Sequence, residues 1–199
     1  MKKCLLIFVM MICIPTVFAQ NVVQKYEIDT TRFSKKYYHL KSLFESLPNK
    51  KKEIVFLGNS ITEQGNWAEL FNNKRVVNRG IGGDRTDGIL YRLKEVTESK
   101  PAKVFLLIGT NDIRYGRSVK YIVDRNQLII KKIKEESPKT IIYLQSLLPT
   151  YNRTERPIEI IRDINLGFQK IAKEENVVYI DLFSNFTDSS GYLEKKYSL

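Results

Sequence analysis

Five short apolar runs, separated by longer stretches of helical period, constrain this chain more than any other feature. The runs are Glu53–Leu57, Arg75–Asn78, Ala102–Ile108, Thr140–Leu147 and Asn176–Leu182. Most are continuously apolar rather than alternating, which is the pattern of strands covered on both faces, hence of a parallel sheet. Between them, Ile89, Leu93 and Val96 share one helical face. Val119, Ile122, Val123, Ile129, Ile130 and Ile133 make a longer stripe, and Ile161, Ile164, Phe168 and Ile171 a third. Upstream, about Thr31 to Leu47, helical spacing puts Phe33, Tyr37, Leu40 and Phe44 on one side, and Pro48 ends that segment. Pro101 and Pro138 fall between helix and strand, as breakers should. Strands alternating with helices predict βαβ units with right-handed crossovers. The expected fold is a three-layer α/β/α sandwich on a five-stranded parallel sheet. At 199 residues the chain holds one such domain.

The first residues read differently. Lys2 and Lys3 form a positive start, Leu5 to Phe18 is apolar but too short to span a bilayer, and Val17-Phe18-Ala19 fits a cleavage site. Residues 1–19 are therefore expected to be a secretory signal, with residues 20–199 as the folded domain. Cys4 and Cys13 both lie in that signal, so the mature chain would hold no disulfide and no thiolate metal site. Once cleaved, the protein is expected to be periplasmic or extracellular, without stable membrane insertion.

The net charge is +11, or +9 without Lys2 and Lys3. The basic residues are scattered, as in Lys35-Lys36, Lys50-Lys51-Lys52 and Lys131-Lys132, and do not alternate with aromatics along a stripe. That reads as a solvated basic surface suited to acidic glycans or an anionic envelope rather than as a nucleic-acid site. Gly80-x-Gly82-Gly83 does not satisfy a dinucleotide or phosphate-loop pattern, and no His or carboxylate cluster has metal-ligand spacing. No cofactor is implied.

In an open parallel sheet, ligands bind beyond the carboxyl ends of the strands. Three loops there carry polar chemistry: Gly58-Asn59-Ser60-Ile61-Thr62, Gly80-Ile81-Gly82-Gly83-Asp84-Arg85-Thr86 and Gly109-Thr110-Asn111-Asp112. Each has a plain alternative. Ser60-x-x-Glu63 is a capping box, and the Gly-rich loops are ordinary turns. Together they match one reaction. A serine attacking an ester carbonyl creates an oxyanion, which needs donors aimed at one point. The N–H groups of Ser60 and Gly83 and the carboxamide of Asn111 are suitable donors.

At these residues the sequence resembles the SGNH hydrolase family, also called GDSL esterases and lipases. Phe56 to Thr62 is similar to its first block, Asn78 to Asp84 to its second, and Ile108 to Asp112 to its third. Trp67, Tyr91-Arg92-Leu93 and Gln145-Ser146-Leu147-Leu148-Pro149 resemble the branch of platelet-activating-factor acetylhydrolases and sialate or carbohydrate O-acetylesterases. The resemblance implies Ser60 as nucleophile and Ser60, Gly83 and Asn111 around the oxyanion. Asn59 stands where the family often has Asp. The family's general base is a histidine in an Asp-x-x-His motif near the C-terminus, and the sequence ends at Leu199 without one. The sole histidine, His39, lies on the predicted N-terminal helix.

The expectation is thus a domain incomplete at its C-terminus. It would lack the last helix and expose an apolar patch on one sheet face. The implied activity is removal of acetyl groups from carbohydrate or other small esters, impaired by loss of the imidazole. A non-catalytic, glycan-binding remnant is the alternative. Export is checked by N-terminal sequencing of the secreted protein, which should begin at Gln20.

Overall fold

A computed structural model describes residues 27–197. The proposed signal, with both cysteines, lies outside the described residues. Five strands form one fully parallel sheet: β1 (Ile54–Gly58), β2 (Val76–Gly80), β3 (Lys103–Leu107), β4 (Ile141–Gln145) and β5 (Val178–Ile180), in the order β2-β1-β3-β4-β5. The helices that position the site are α1 (Lys35–Ser46), α2 (Ser60–Glu63), α3 (Trp67–Leu70), α4 (Thr86–Arg92), α5 (Lys94–Thr97), α6 (Thr110–Arg114), α7 (Val119–Glu136), α8 (Ile158–Glu174) and α9 (Phe183–Phe186).

All five strands form where the apolar runs lie, with ends moved by one or two residues. The largest change is at β5. Its run was expected over Asn176–Leu182 but pairs only over three residues. The N–H groups of Leu182 and Phe183 donate instead to Ser146 Oγ, at 2.9 and 2.8 Å, which turns the chain off the sheet edge. The stripe through Ile89, Leu93 and Val96 forms two helices, α4 and α5, divided at Leu93. At α1, Ser34 is the N-cap. Its hydroxyl accepts from the Tyr37 N–H at 3.1 Å, so the helix starts later than Thr31.

The sheet faces are unequal. On one, Val55, Leu57, Val104, Leu106, Ile142 and Leu144 are almost completely buried, in one cluster with α4, α7 and α8. Burying a side chain of this size is worth about 1.5–3 kcal/mol, so this face supplies most of the apolar stabilisation. The other face carries an aromatic column set by the strand register. Phe56 sits beside Phe105, and Phe105 beside Tyr143. Their rings stack at 4.7 and 4.4 Å. Trp67 adds a fourth ring on Phe56 at 4.4 Å. Beyond this column the face is open, with Ile141 and Val178 exposed. Apolar exposure on this face thus lies at its β4–β5 end.

Buried charge ties the strand ends together. Arg92 is 1% exposed. It pairs with Asp84 at 3.0 Å and Glu95 at 2.9 Å, and donates to the carbonyls of Gly58 and Arg79 at 3.3 and 2.7 Å. Arg79 also pairs with Glu95, at 3.1 Å. Each carboxylate in this group has a guanidinium partner, as burial requires. Removing Arg92 leaves Asp84 without its guanidinium partner and Glu95 with Arg79 alone, so Arg92→Met should lower unfolding free energy by about 3–5 kcal/mol in urea melts.

Two buried carboxyls give the fold a pH dependence. Burial pushes the Asp112 carboxyl up to about 6, while hydrogen bonds from Thr86 pull the other way. Burial likewise raises Asp84 to about 6 against the pull of Arg92. A carboxyl whose folded pKa exceeds its unfolded value of about 4 holds more protons folded than unfolded between the two. Its contribution to stability therefore falls as pH rises through that window. The urea midpoint should fall between about pH 4 and pH 6, and Asp112→Asn should flatten that fall.

Candidate active site

The first loop is built by Asn59. Its side chain accepts the Ile61 N–H at 3.0 Å, and its carbonyl accepts the Glu63 N–H at 2.9 Å. Asn59 is thus the N-cap of α2, and Ser60 is the first helical residue. The capping-box alternative does not form. Glu63 pairs with Lys36 at 2.7 Å instead. An asparagine caps a helix as well as an aspartate does, so the loop keeps its shape without a negative charge beside Ser60.

The C-terminal side of α2 is held from β2. The Asn78 carboxamide nitrogen donates to the carbonyls of Thr62, Glu63 and Gly65 at 2.8–3.0 Å, and its oxygen accepts the Gly80 N–H at 2.8 Å. Gly80 lies so close to α2 that a Cβ there would overlap the Glu63 backbone. Trp67 Nε1 donates to Thr62 O at 2.7 Å and fixes the same turn from outside.

The second loop docks on the first and the third on the second. Ile81 N–H donates to Gly58 O at 3.1 Å. The Asp84 N–H donates to Ile81 O at 3.0 Å, closing a turn in which Gly83 adopts φ +81°, a region open to glycine. The Asn111 carboxamide nitrogen donates to Asp84 O at 2.8 Å. Asp112 accepts from the Thr86 hydroxyl at 2.6 Å and from its N–H. The three loops singled out in the sequence are thus contiguous.

Ser60 and Asn111 line one cavity of about 530 Å³. Its walls are Leu148, Pro149 and Tyr151 from the loop after β4, and Phe186, Leu193 and Tyr197 from the last segment. Asn111 is buried and tied by one of its two amide hydrogens, which leaves the other for a ligand oxygen. Gly83 is solvent-exposed and lines a smaller neighbouring recess with Tyr37, Arg85 and Tyr115.

His39 is exposed on α1, and no imidazole lines the Ser60 cavity among the described residues. Nor do the described residues contain a group of His, Cys, Asp or Glu able to hold a metal ion, or a helix long and apolar enough to cross a membrane.

Several cavity residues were missed in the sequence, Arg153 and Arg156 among them. Arg156, in the loop between β4 and α8, donates from Nη2 to Asn111 Oδ1 at 3.3 Å and from Nε to Thr110 O at 3.3 Å. It holds the far side of the carboxamide and orients it. The signal was available, because this loop also leaves the carboxyl end of a strand.

Comparison with known proteins agrees with this geometry. Residues 56–198 match the family model of the GDSL-like lipase/acylhydrolase family. The human platelet-activating factor acetylhydrolase IB subunit alpha1 is 28% identical over 150 residues, covering 72% of this chain and 64% of that protein. The chain thus spans just under two thirds of that curated relative's length. A Streptococcus pneumonia structure, described provisionally as a platelet activating factor, superposes with a TM-score of 0.75 at 30% identity, covering 83% of each chain. A GDSL-like lipase from Bacteroides thetaiotaomicron has the same fold, with a TM-score of 0.70 at 23% identity over 82% of this chain and 86% of that one. With three contiguous loops bearing its motifs and a match spanning most of the folded region, this chain belongs to the GDSL-like lipase/acylhydrolase family.

Proposed function

We infer that the cavity beside Ser60 is an esterase site that removes small acyl groups, acetyl above all, from carbohydrate or other small esters. The observation that carries this reading is the pairing in one cavity of Ser60, relieved of capping by Asn59, with the carboxamide of Asn111. The curated relative is named as an acetylhydrolase, which favours a short acyl group.

In the proposed reaction Ser60 Oγ bonds to the ester carbonyl carbon and gives up its proton to solvent water, or to imidazole where it is added. The carbonyl oxygen becomes an oxyanion, held by the Ser60 N–H and the free Asn111 hydrogen; the Gly83 N–H, at the neighbouring recess, is the third donor that the family resemblance implies. Collapse of this intermediate expels the alcohol, which takes up a proton, and leaves an acyl-serine that water hydrolyses. Residues 1–19 support export, so the reaction would take place outside the cytoplasm.

An unassisted serine hydroxyl is a weak nucleophile at neutral pH. With His39 on α1 and no imidazole in the cavity among the described residues, the 199-residue chain should turn over p-nitrophenyl acetate below about 1 s⁻¹, the low end of typical enzymes. Added imidazole should raise the rate in the parent chain, measured against Ser60→Ala under the same conditions.

With imidazole added, a fluorophosphonate probe should label the parent chain and not Ser60→Ala. Asn111→Ala should lower the imidazole-assisted rate by about 10²–10³, the usual effect of losing one oxyanion donor. Absence of labelling, with acylated glycans still bound, would instead favour a binding protein that has kept the fold.

A further inference from the structure

The Ser60 cavity has an uneven charge. Two of its lining residues are arginines, Arg153 and Arg156, and none of its lining is a carboxylate. Asn59 contributes to this, because the family's usual Asp at this place would add a negative charge beside the nucleophile. Glu155 pairs with Arg156 Nη1 at 3.0 Å but lies outside the lining. Arg153 is exposed and has no carboxylate partner among the described residues. Arg114 also stands close enough to repel the charge on Arg156. Arg153 and Arg156 also border an adjoining recess lined by Glu159, so three guanidiniums stand against two carboxylates, Glu155 and Glu159, which leaves a surplus of positive charge at this end of the cavity.

The two cavity arginines are placed differently. Arg156 is fixed by Thr110 O, Asn111 Oδ1 and Glu155, so its charge stays beside the carboxamide that faces the reaction. Arg153 has its whole guanidinium fork available, and that fork matches the paired oxygens of a carboxylate or phosphate. An unpaired arginine at the rim of a cavity walled by Leu148, Pro149 and Tyr151 favours a ligand with an apolar or sugar body and one anionic group.

We propose that Arg153 and Arg156 form an anion subsite, and that the favoured substrate is a small ester whose alcohol portion carries a carboxylate or phosphate. This rests on the esterase reading of the same cavity and adds the charge of the substrate to it. The anion docks on Arg153, the ester carbonyl lies toward Ser60 and Asn111, and Arg156 stands between them.

The test is calorimetric titration of Ser60→Ala, which binds without turnover, with two matched pairs of ligands. One pair is acetylated methyl galacturonoside against acetylated methyl galactoside. The other is diacetylglycerol phosphate against triacetin. In low salt, at least one anionic ligand should bind about tenfold or more tighter than its neutral partner, and the advantage should shrink as salt rises. The pair with the larger advantage identifies the anion as carboxylate or phosphate. Arg153→Gln, at an exposed position, should abolish the advantage, with circular dichroism showing the fold kept. Arg156→Lys should retain part of it.

Equal binding of charged and neutral partners, no binding of any of the four, or an advantage that survives Arg153→Gln would overturn the proposal. Loss of Ser60 labelling with the charge preference retained would sink the esterase reading and leave the anion subsite standing.

Discussion

The carboxyl edge of the sheet depends on a single buried cation. Arg92 reaches from α4 to the last carbonyl of β1 and to the Arg79 carbonyl of β2, while Asp84 and Glu95 neutralise it. Each of the three motif loops starts from or rests on these groups. Gly58 leads into the nucleophile turn, Arg79 into the glycine turn, and Asp84 presents the carbonyl that holds Asn111. A guanidinium suits this place because its five donors lie in a fixed plane and its charge persists when buried. A lysine would offer charge at a point without the fork. The arrangement serves geometry more than stability, since a buried ion group is weak as a net stabiliser yet costly to break.

Much of this was legible in the chain, and what was not follows a physical rule. The strands were readable because a covered parallel sheet writes itself as apolar runs. The three loops were readable because polar residues at strand ends have few structural reasons to recur there. The roles of Asn78, Arg92 and Arg156 were not, because each acts on groups distant in sequence. Asn78 grips carbonyls 13–16 residues away, Arg92 one that is 34 residues away, and Arg156 a carboxamide 45 residues away. No local pattern encodes such pairings. The same holds for the break at Leu93 and the early end of β5, where the Ser146 hydroxyl takes the N–H groups of Leu182 and Phe183 and so withholds them from the ladder. The capping-box pattern shows the converse. Ser60-x-x-Glu63 has the right spacing, but Asn59 one residue earlier captures the cap, and Glu63 turns to Lys36.

The two sheet faces divide the work. The face under α4, α7 and α8 is aliphatic and closed, and it provides the rigid base from which the loops project. The opposite face is aromatic and only partly covered. Phe56, Phe105 and Tyr143 stack along the hydrogen-bonding direction, where the strand spacing of about 4.8 Å suits ring against ring. Such pairs add about 0.5–1.5 kcal/mol each beyond the area they bury. They hold neighbouring strands in register on the face with less helical cover.

The column has a spectroscopic consequence as well. Trp67 is the chain's only tryptophan, and it lies flat on Phe56 with its indole N–H held by the turn that carries Ser60. The protein therefore contains a native fluorophore wired to its nucleophile: any rearrangement of that turn alters the indole's hydrogen bond and its stacking together, and so its emission colour and intensity, without an added dye.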